Sequence, residues 1–179
     1  MKLGTYLADA AARFPDKTAM VCGDASHTFA SLDEAATRLA NAFFARGLRS
    51  GERVALHLPN CLEAVELMCA LGRAGAVIVP ISNRLTAAEA RYILEDSTPS
   101  FVCYAAGDTV ALEALADLDF RGRITVGAAV GEDGAEPLDA LRATGAETPV
   151  ALLGDDVHDL VLGYTSGTTG RPKGAVGTH

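Results

Sequence analysis

The stretch "RVALHLPNCLEAVELMCALGRAGAVIVPI", Arg53 to Ile81, decides the fold. "RVALHL" has the length and apolar content of a buried strand, and "AVIVPI" is apolar at every position but its proline. Between them, Asn60 and Glu63 can cap a helix that runs to about Arg73. Gly75 can close that helix and Pro80 ends the second strand. A strand without polar alternation must be covered on both faces. Strand, amphipathic helix and strand in this order form a β-α-β crossover, which belongs to a parallel sheet.

The same texture extends in both directions. Thr86 and Glu89 have capping-box spacing before "ARYILED", "SFVCYA" reads as a strand, Asp108 to Leu118 as a helix, and "RITVG" as another strand. Upstream, a helix runs from Leu3 to Phe14, with Leu3, Leu7, Ala10, Ala11 and Phe14 on one face and Pro15 as its stop. "KTAMVCG" and "HTFA" form two short strands around Gly23, Asp24 and Ser26. In "SLDEAATRLANAFFARG", Ser31 and Glu34 have capping-box spacing, Leu32, Ala35, Leu39 and Phe43 make the apolar stripe, and Gly47 suits a left-handed cap. The expected fold class is α/β, a mostly parallel sheet flanked by helices on both faces. Strand order is not readable from these signals.

The expected organisation is one partial N-terminal domain over residues 1–179. Residues 1–126 are the βα-repeat region. Residues 127–156, rich in Gly, Ala and acids with a short helix at Leu138 to Ala143, read as a surface connection. Residues 157–179 hold a strand, "DLVLGY", and the loop that follows it.

Composition narrows the function. With 49% hydrophobic and 21% charged residues, 179 residues form a real core. A net charge of −8 leaves no surplus of Lys and Arg for nucleic acid or an anionic membrane surface, so a bound phosphate must be held locally. No apolar run reaches bilayer-spanning length, and the N-terminus reads as an amphipathic helix rather than a signal peptide. Cys22, Cys61, Cys69 and Cys103 lie in apolar stretches without metal-ligand spacing. They read as buried free thiols of a cytoplasmic protein.

"YTSGTTGRPKG", Tyr164 to Gly174, cannot pack a core. Gly167, Gly170 and Gly174 let successive N–H groups turn inward as an anion-binding nest. Thr165, Ser166, Thr168 and Thr169 add hydroxyl donors, Lys173 adds a charge, and Pro172 stiffens its approach. The ligand this suits is a polyphosphate. The order differs from the nucleotide-hydrolase loop, because Pro172 precedes Lys173 and Gly174 stands where a Mg2+-binding hydroxyl would be. Nor does any G-x-G-x-x-G follow a strand.

"YTSGTTGRPKGAVGTH" resembles the signature of the adenylate-forming, AMP-binding superfamily of acyl-CoA synthetases, peptide-synthetase adenylation domains and luciferases. "HTFASL" and the block from "GERVALHLPN" to "ILEDS" resemble its earlier elements. "ISNRLTAAE" is similar to the N-x-R-L-T-x-x-E of acyl-CoA synthetases rather than to the amino-acid-activating pattern. The resemblance implies a ligase using ATP, Mg2+ and coenzyme A. A carboxylate attacks the α-phosphorus to give acyl-adenylate and pyrophosphate, and the CoA thiol then displaces AMP. It implies that Thr165, Ser166, Gly167, Thr168, Thr169, Gly170 and Lys173 bind ATP, with Lys173 the one candidate catalytic side chain and no metal ligand assigned. Tyr164 is expected to pack the strand end. His27, His57 and His158 are expected to be surface or satisfied histidines, and His179 is assigned no chemistry.

Enzymes of that superfamily continue well beyond this point, with the adenine site, acyl pocket, acidic Mg2+ ligand and a C-terminal catalytic Lys. The chain is therefore expected to be the front part of such an enzyme and inactive alone. Two alternatives are a non-catalytic self-associating or nucleotide-binding module, and an amino-acid or aryl-acid adenylation enzyme. A sheet cut before its later strands exposes an edge, so homo-oligomers are expected.

Overall fold

A computed structural model describes residues 3–127, 134–150, 159–165 and 172–178. In chain order these form α1 (Leu3–Arg13), β1 (Thr18–Cys22), β2 (Ala25–Thr28), α2 (Phe29–Ala45), β3 (Arg53–His57), α3 (Leu62–Ala74), β4 (Val77–Ile81), α4 (Ala87–Ser97), β5 (Phe101–Ala105), α5 (Thr109–Leu115), β6 (Gly122–Val126), β7 (Glu136–Pro137), α6 (Leu138–Ala143), β8 (Asp159–Thr165) and β9 (Lys173–Thr178). The deciding stretch is the crossover expected of it. β3 and β4 are parallel neighbours, in register from Arg53 opposite Val77 to His57 opposite Ile81.

The main sheet has the order β7-β6-β5-β3-β4-β8-β9, while β1 and β2 form a separate antiparallel pair. Every pairing in the main sheet is parallel except β8 with β9. Alternate residues of the strands feed two cores. Val54, Leu56, Ile78 and Phe101 pack with Leu39, Phe43, Leu67 and Leu71 of α2 and α3, joined by Leu138 and Leu141 of α6. Ala55, Val79, Val102 and Tyr104 pack with Ile93 and Leu94 of α4 and Ala111 and Leu115 of α5. The α/β class with helices on both faces is what the sequence implied.

Several local expectations shift. The cap of α2 lies three residues before the expected one. Thr28 is the cap and Ser31 occupies its third helical position, each side chain satisfying the other's backbone amide. Glu34 then sits one turn inside, against Arg38. The cap of α3 is Cys61, without a side-chain bond, rather than Asn60. The Thr86–Glu89 box is present in full. α5 is shorter than expected, because Asp117 turns left-handed at φ 60°. Phe14 is 52% exposed, with Arg13 and Lys17 over its ring, instead of joining the buried face of α1. Of the thiols only Cys103 is buried, Cys61 and Cys69 are half-buried, and Cys22 is exposed. Burial pushes the Cys69 thiol up to about 11, so it stays protonated.

Residues 134–150 do more than connect. α6 lies on α2, and beyond it Asn41 Nδ2 donates to the carbonyls of Ala146 (2.8 Å) and Thr148 (2.9 Å). Gly145 makes this approach by having no side chain: a Cβ there would lie 1.9 Å from the Arg38 carbonyl oxygen. That oxygen belongs to a helix backbone and cannot step aside. Gly145→Ala is therefore expected to cost about 2 kcal/mol, in the range of overpacking, and to free the 145–148 strap. Urea unfolding checks it; an unchanged midpoint would mean that the strap does not pass this close.

Candidate functional site

β8 is the last parallel strand. It meets β4 at Ile78 opposite Val161 and ends at Thr165, at the same carboxyl edge as His57 of β3 and Ile81 of β4. The chain then reverses. β9 pairs antiparallel with β8, with Thr165 opposite Lys173 and Tyr164 opposite Gly174. The two flanks of the candidate loop, Thr165 and Lys173, are thus paired as the arms of a hairpin. Ser166, Gly167, Thr168, Thr169 and Gly170 lie outside the described residues, as do His158 and His179. Sequence reasoning took the run as a loop and missed β9. Gly174 and Gly177 lower the strand signal of "KGAVGT", and only the pairing reveals it.

Side chains alternate across a strand, so Thr165 and Lys173 share one face of the hairpin and Tyr164 takes the other. Both Thr165 and Lys173 are exposed. Among the described residues Lys173 makes no ion pair. In a chain of net charge −8, the pairing places a cation opposite a hydroxyl at the hairpin mouth.

Tyr164 is more than strand-end packing. Its hydroxyl donates to Asp96 Oδ2 on α4, at 2.5 Å. Burial, then the hydrogen bond and charge of Asp96, hold the phenol well above its usual range, so it remains a donor. Its ring lies across Gly174, where a Cβ would sit 3.4 Å from Cζ and 3.0 Å from Leu162 Cδ1.

Beside the hairpin the connections diverge. The one leaving β3 enters α3 on one face, and the one leaving β4 enters α4 on the other. A crevice outside the carboxyl ends of strands at such a divergence is where open α/β sheets take ligands. Here it has a volume of about 520 Å³ and is lined by apolar Met68, Pro80 and Leu85 together with Asn60, Asn83 and Tyr164. A second cavity, about 530 Å³, lies beneath α1 and α2 on the helix layer. Its Arg73 already donates to Asp33 and Thr37, so it offers no spare charge.

The two described histidines differ. His27 is satisfied, between Ser31 Oγ (2.9 Å) and Glu66 Oε1 (2.6 Å). His57 is 3% exposed, and neither ring nitrogen has a hydrogen-bond partner among the described residues. Its Nδ1 lies 3.2 Å from Asp108 Oδ2, while Asp108 Oδ1 caps α5. The expectation of a surface or satisfied histidine fails at His57. No group of three His, Cys, Asp or Glu among the described residues could hold a metal ion, and no described helix is long and apolar enough to cross a membrane.

Comparison with known proteins places these features in a family context. The family model described as AMP-binding enzyme matches residues 7–179. The chain is 39% identical over 157 residues to the long-chain-fatty-acid–CoA ligase FadD13 of Mycobacterium tuberculosis, covering 87% of this chain and 30% of that protein. It is 39% identical over 177 residues to feruloyl-CoA synthase of Amycolatopsis sp, covering 99% of this chain and 33% of that one. Among solved structures, the inhibitor-bound N-terminal domain of FACL13 from Mycobacterium tuberculosis superposes with a TM-score of 0.85 at 34% identity. The match covers 100% of this chain and 45% of that one. The chain spans about a third of the length of the curated relatives it matches.

Proposed function

The chain belongs to the AMP-binding enzyme family, and from that premise we propose that it carries the phosphate-binding hairpin of an ATP-dependent carboxylate–CoA ligase, as part of that enzyme's N-terminal domain. The observation behind the reading is the pairing of Thr165 with Lys173 across the hairpin mouth, with the ammonium unpaired among the described residues. In the first half-reaction an anionic carboxylate approaches an anionic phosphate, and pyrophosphate must leave. Thr165 and Lys173, with Ser166, Gly167, Thr168, Thr169 and Gly170 between them in sequence, offset the negative charge on the β- and γ-phosphates of ATP. Mg2+ and coenzyme A act in the same enzyme through groups outside this set. The reading is of a cytoplasmic enzyme, inactive as 179 residues alone.

The acid is fatty, short or aromatic rather than an amino acid, on the strength of "ISNRLTAAE" and of the two relatives' names. ATP–pyrophosphate exchange by the enzyme carrying this chain, against a panel of fatty, aromatic and amino acids, tests it. Exchange driven by amino acids alone would sink the reading.

One observation favours a second role for the isolated chain. β9 lies at the sheet edge, all six of its residues are exposed, and Val176 is 58% exposed. Such an edge can pair with a second copy. Sedimentation of the 179-residue chain is expected to show concentration-dependent self-association, and Val176→Lys to abolish it. A chain that stays monomeric at the highest soluble concentration refutes this role.

A further inference from the structure

The hairpin is held to the rest of the molecule in an uneven way. Its ladder to β4 is a single register pair, Ile78 with Val161, three residues short of Tyr164. Among the described residues β9 has β8 as its only neighbour in the sheet order. Beyond Val161 no further register pair to β4 is described, and Leu162 and Tyr164 pack instead against the core beneath α4. Among the described residues, one side-chain hydrogen bond ties the far end to another element: Tyr164 to Asp96 of α4. The return arm meets the same helix, where Pro172 lines a cleft with Ala88, Tyr92 and Glu95.

We propose that Tyr164 and Asp96 are positioning residues, a latch that fixes the phosphate-binding hairpin on α4 and so sets where Thr165 and Lys173 stand. This rests on the ligase reading for its catalytic consequence, though not for its structural one. Three features fit a latch better than packing alone. The tyrosine grips from the α4 side, opposite the face that carries Thr165 and Lys173, so the donors stay free. The ring spans both arms, because Gly174 leaves room beneath it. The acceptor lies on a helix whose start is itself fixed by the Thr86–Glu89 box.

The consequence is specific. A phosphate site needs its donors within a fraction of an ångström, and losing one hydrogen bond to a charged group is on the order of a tenfold effect. Tyr164→Phe and Asp96→Asn are each expected to raise amide hydrogen exchange about tenfold in residues 162–165 and 173–176 of the 179-residue chain, and to leave β3 and β5 unmoved. The double variant should exchange no faster than either single one. In the enzyme carrying the chain, both variants should lower kcat for ATP–pyrophosphate exchange about tenfold, with KM for the carboxylic acid unchanged.

The two readings fail separately. If the wild-type enzyme exchanges pyrophosphate with no acid, the ligase reading falls and amide exchange still decides the latch. If hairpin amides keep wild-type exchange rates in both single variants, or if β3 and β5 loosen equally, the latch is overturned whatever the activity does. If the hairpin loosens and kcat does not fall, its catalytic half is overturned.

Discussion

On the ligase reading, Lys173→Ala is expected to slow ATP–pyrophosphate exchange by about a hundredfold in the enzyme that carries this chain, and to leave KM for the carboxylic acid within about twofold. The asymmetry follows from where the charge acts. Lys173 opens β9 directly opposite Thr165, exposed and without an ion pair among the described residues. It therefore contributes little to the resting fold, and its removal should not move the unfolding midpoint. In the proposed ligase its work would be on charge that builds up as pyrophosphate leaves, a stage at which the carboxylate is already bound. Removing one preorganised donor from such a site costs about a hundred- to a thousandfold in rate. The lower end is expected here, because an exposed ammonium is screened by water until the ligand covers it. Lys173→Arg separates charge from shape. A guanidinium keeps the positive charge but spreads it over a plane, so partial activity is expected. Unchanged exchange in Lys173→Ala would remove this residue from the phosphate site.

How much of this was legible beforehand differs by element. The parallel α/β class was, because strands such as "AVIVPI" have no polar face and must be covered twice. The family was legible from one motif of high specificity. The hairpin form of that motif was not: two glycines in β9 erase the period-two signal, and pairing with β8 restores the strand. Nor was the role of Tyr164, since its partner Asp96 is 68 residues away and no local pattern links an aromatic at a strand end to a carboxylate at a helix end. The cap of α2 was misplaced for a related reason. Ser31 can act either as a cap or as the residue that answers one, and Thr28 three positions earlier decides between them. His57 gave no warning, because an isolated histidine in an apolar strand reads the same whether or not its nitrogens find partners.

The segment least predictable from its own sequence, residues 134–150, is held by the group whose loss should destabilise the chain most. Glu66 on α3 is 4% exposed, and its two oxygens serve different parts of the chain. Oε1 accepts from His27 Nε2 at 2.6 Å, and Oε2 accepts from Arg142 Nη2 at 2.5 Å. The other ring nitrogen of His27, Nδ1, faces Ser31 Oγ at 2.9 Å. β2, α3 and α6 thus converge on one side chain. Arg142 also donates to the exposed Asp139, and its Nε is buried without a partner among the described residues, so Glu66 is its buried counter-charge. Glu66→Ala leaves a guanidinium and an imidazole stripped of their shared acceptor. Breaking a buried pair from one side costs about 3–5 kcal/mol, and about 3 is expected here because His27 and Arg142 keep some contact with water. For a chain of this length, that lowers Tm by roughly 6–12 °C. Glu66→Gln keeps an acceptor for one partner and should fall between. The pairing itself is tested by adding Arg142→Met: once the guanidinium is gone, removing Glu66 should cost about half as much. If Glu66→Ala shifts the midpoint by less than about 1 kcal/mol, the convergence on Glu66 is not what docks α6, and Leu138 and Leu141 hold it by apolar burial alone.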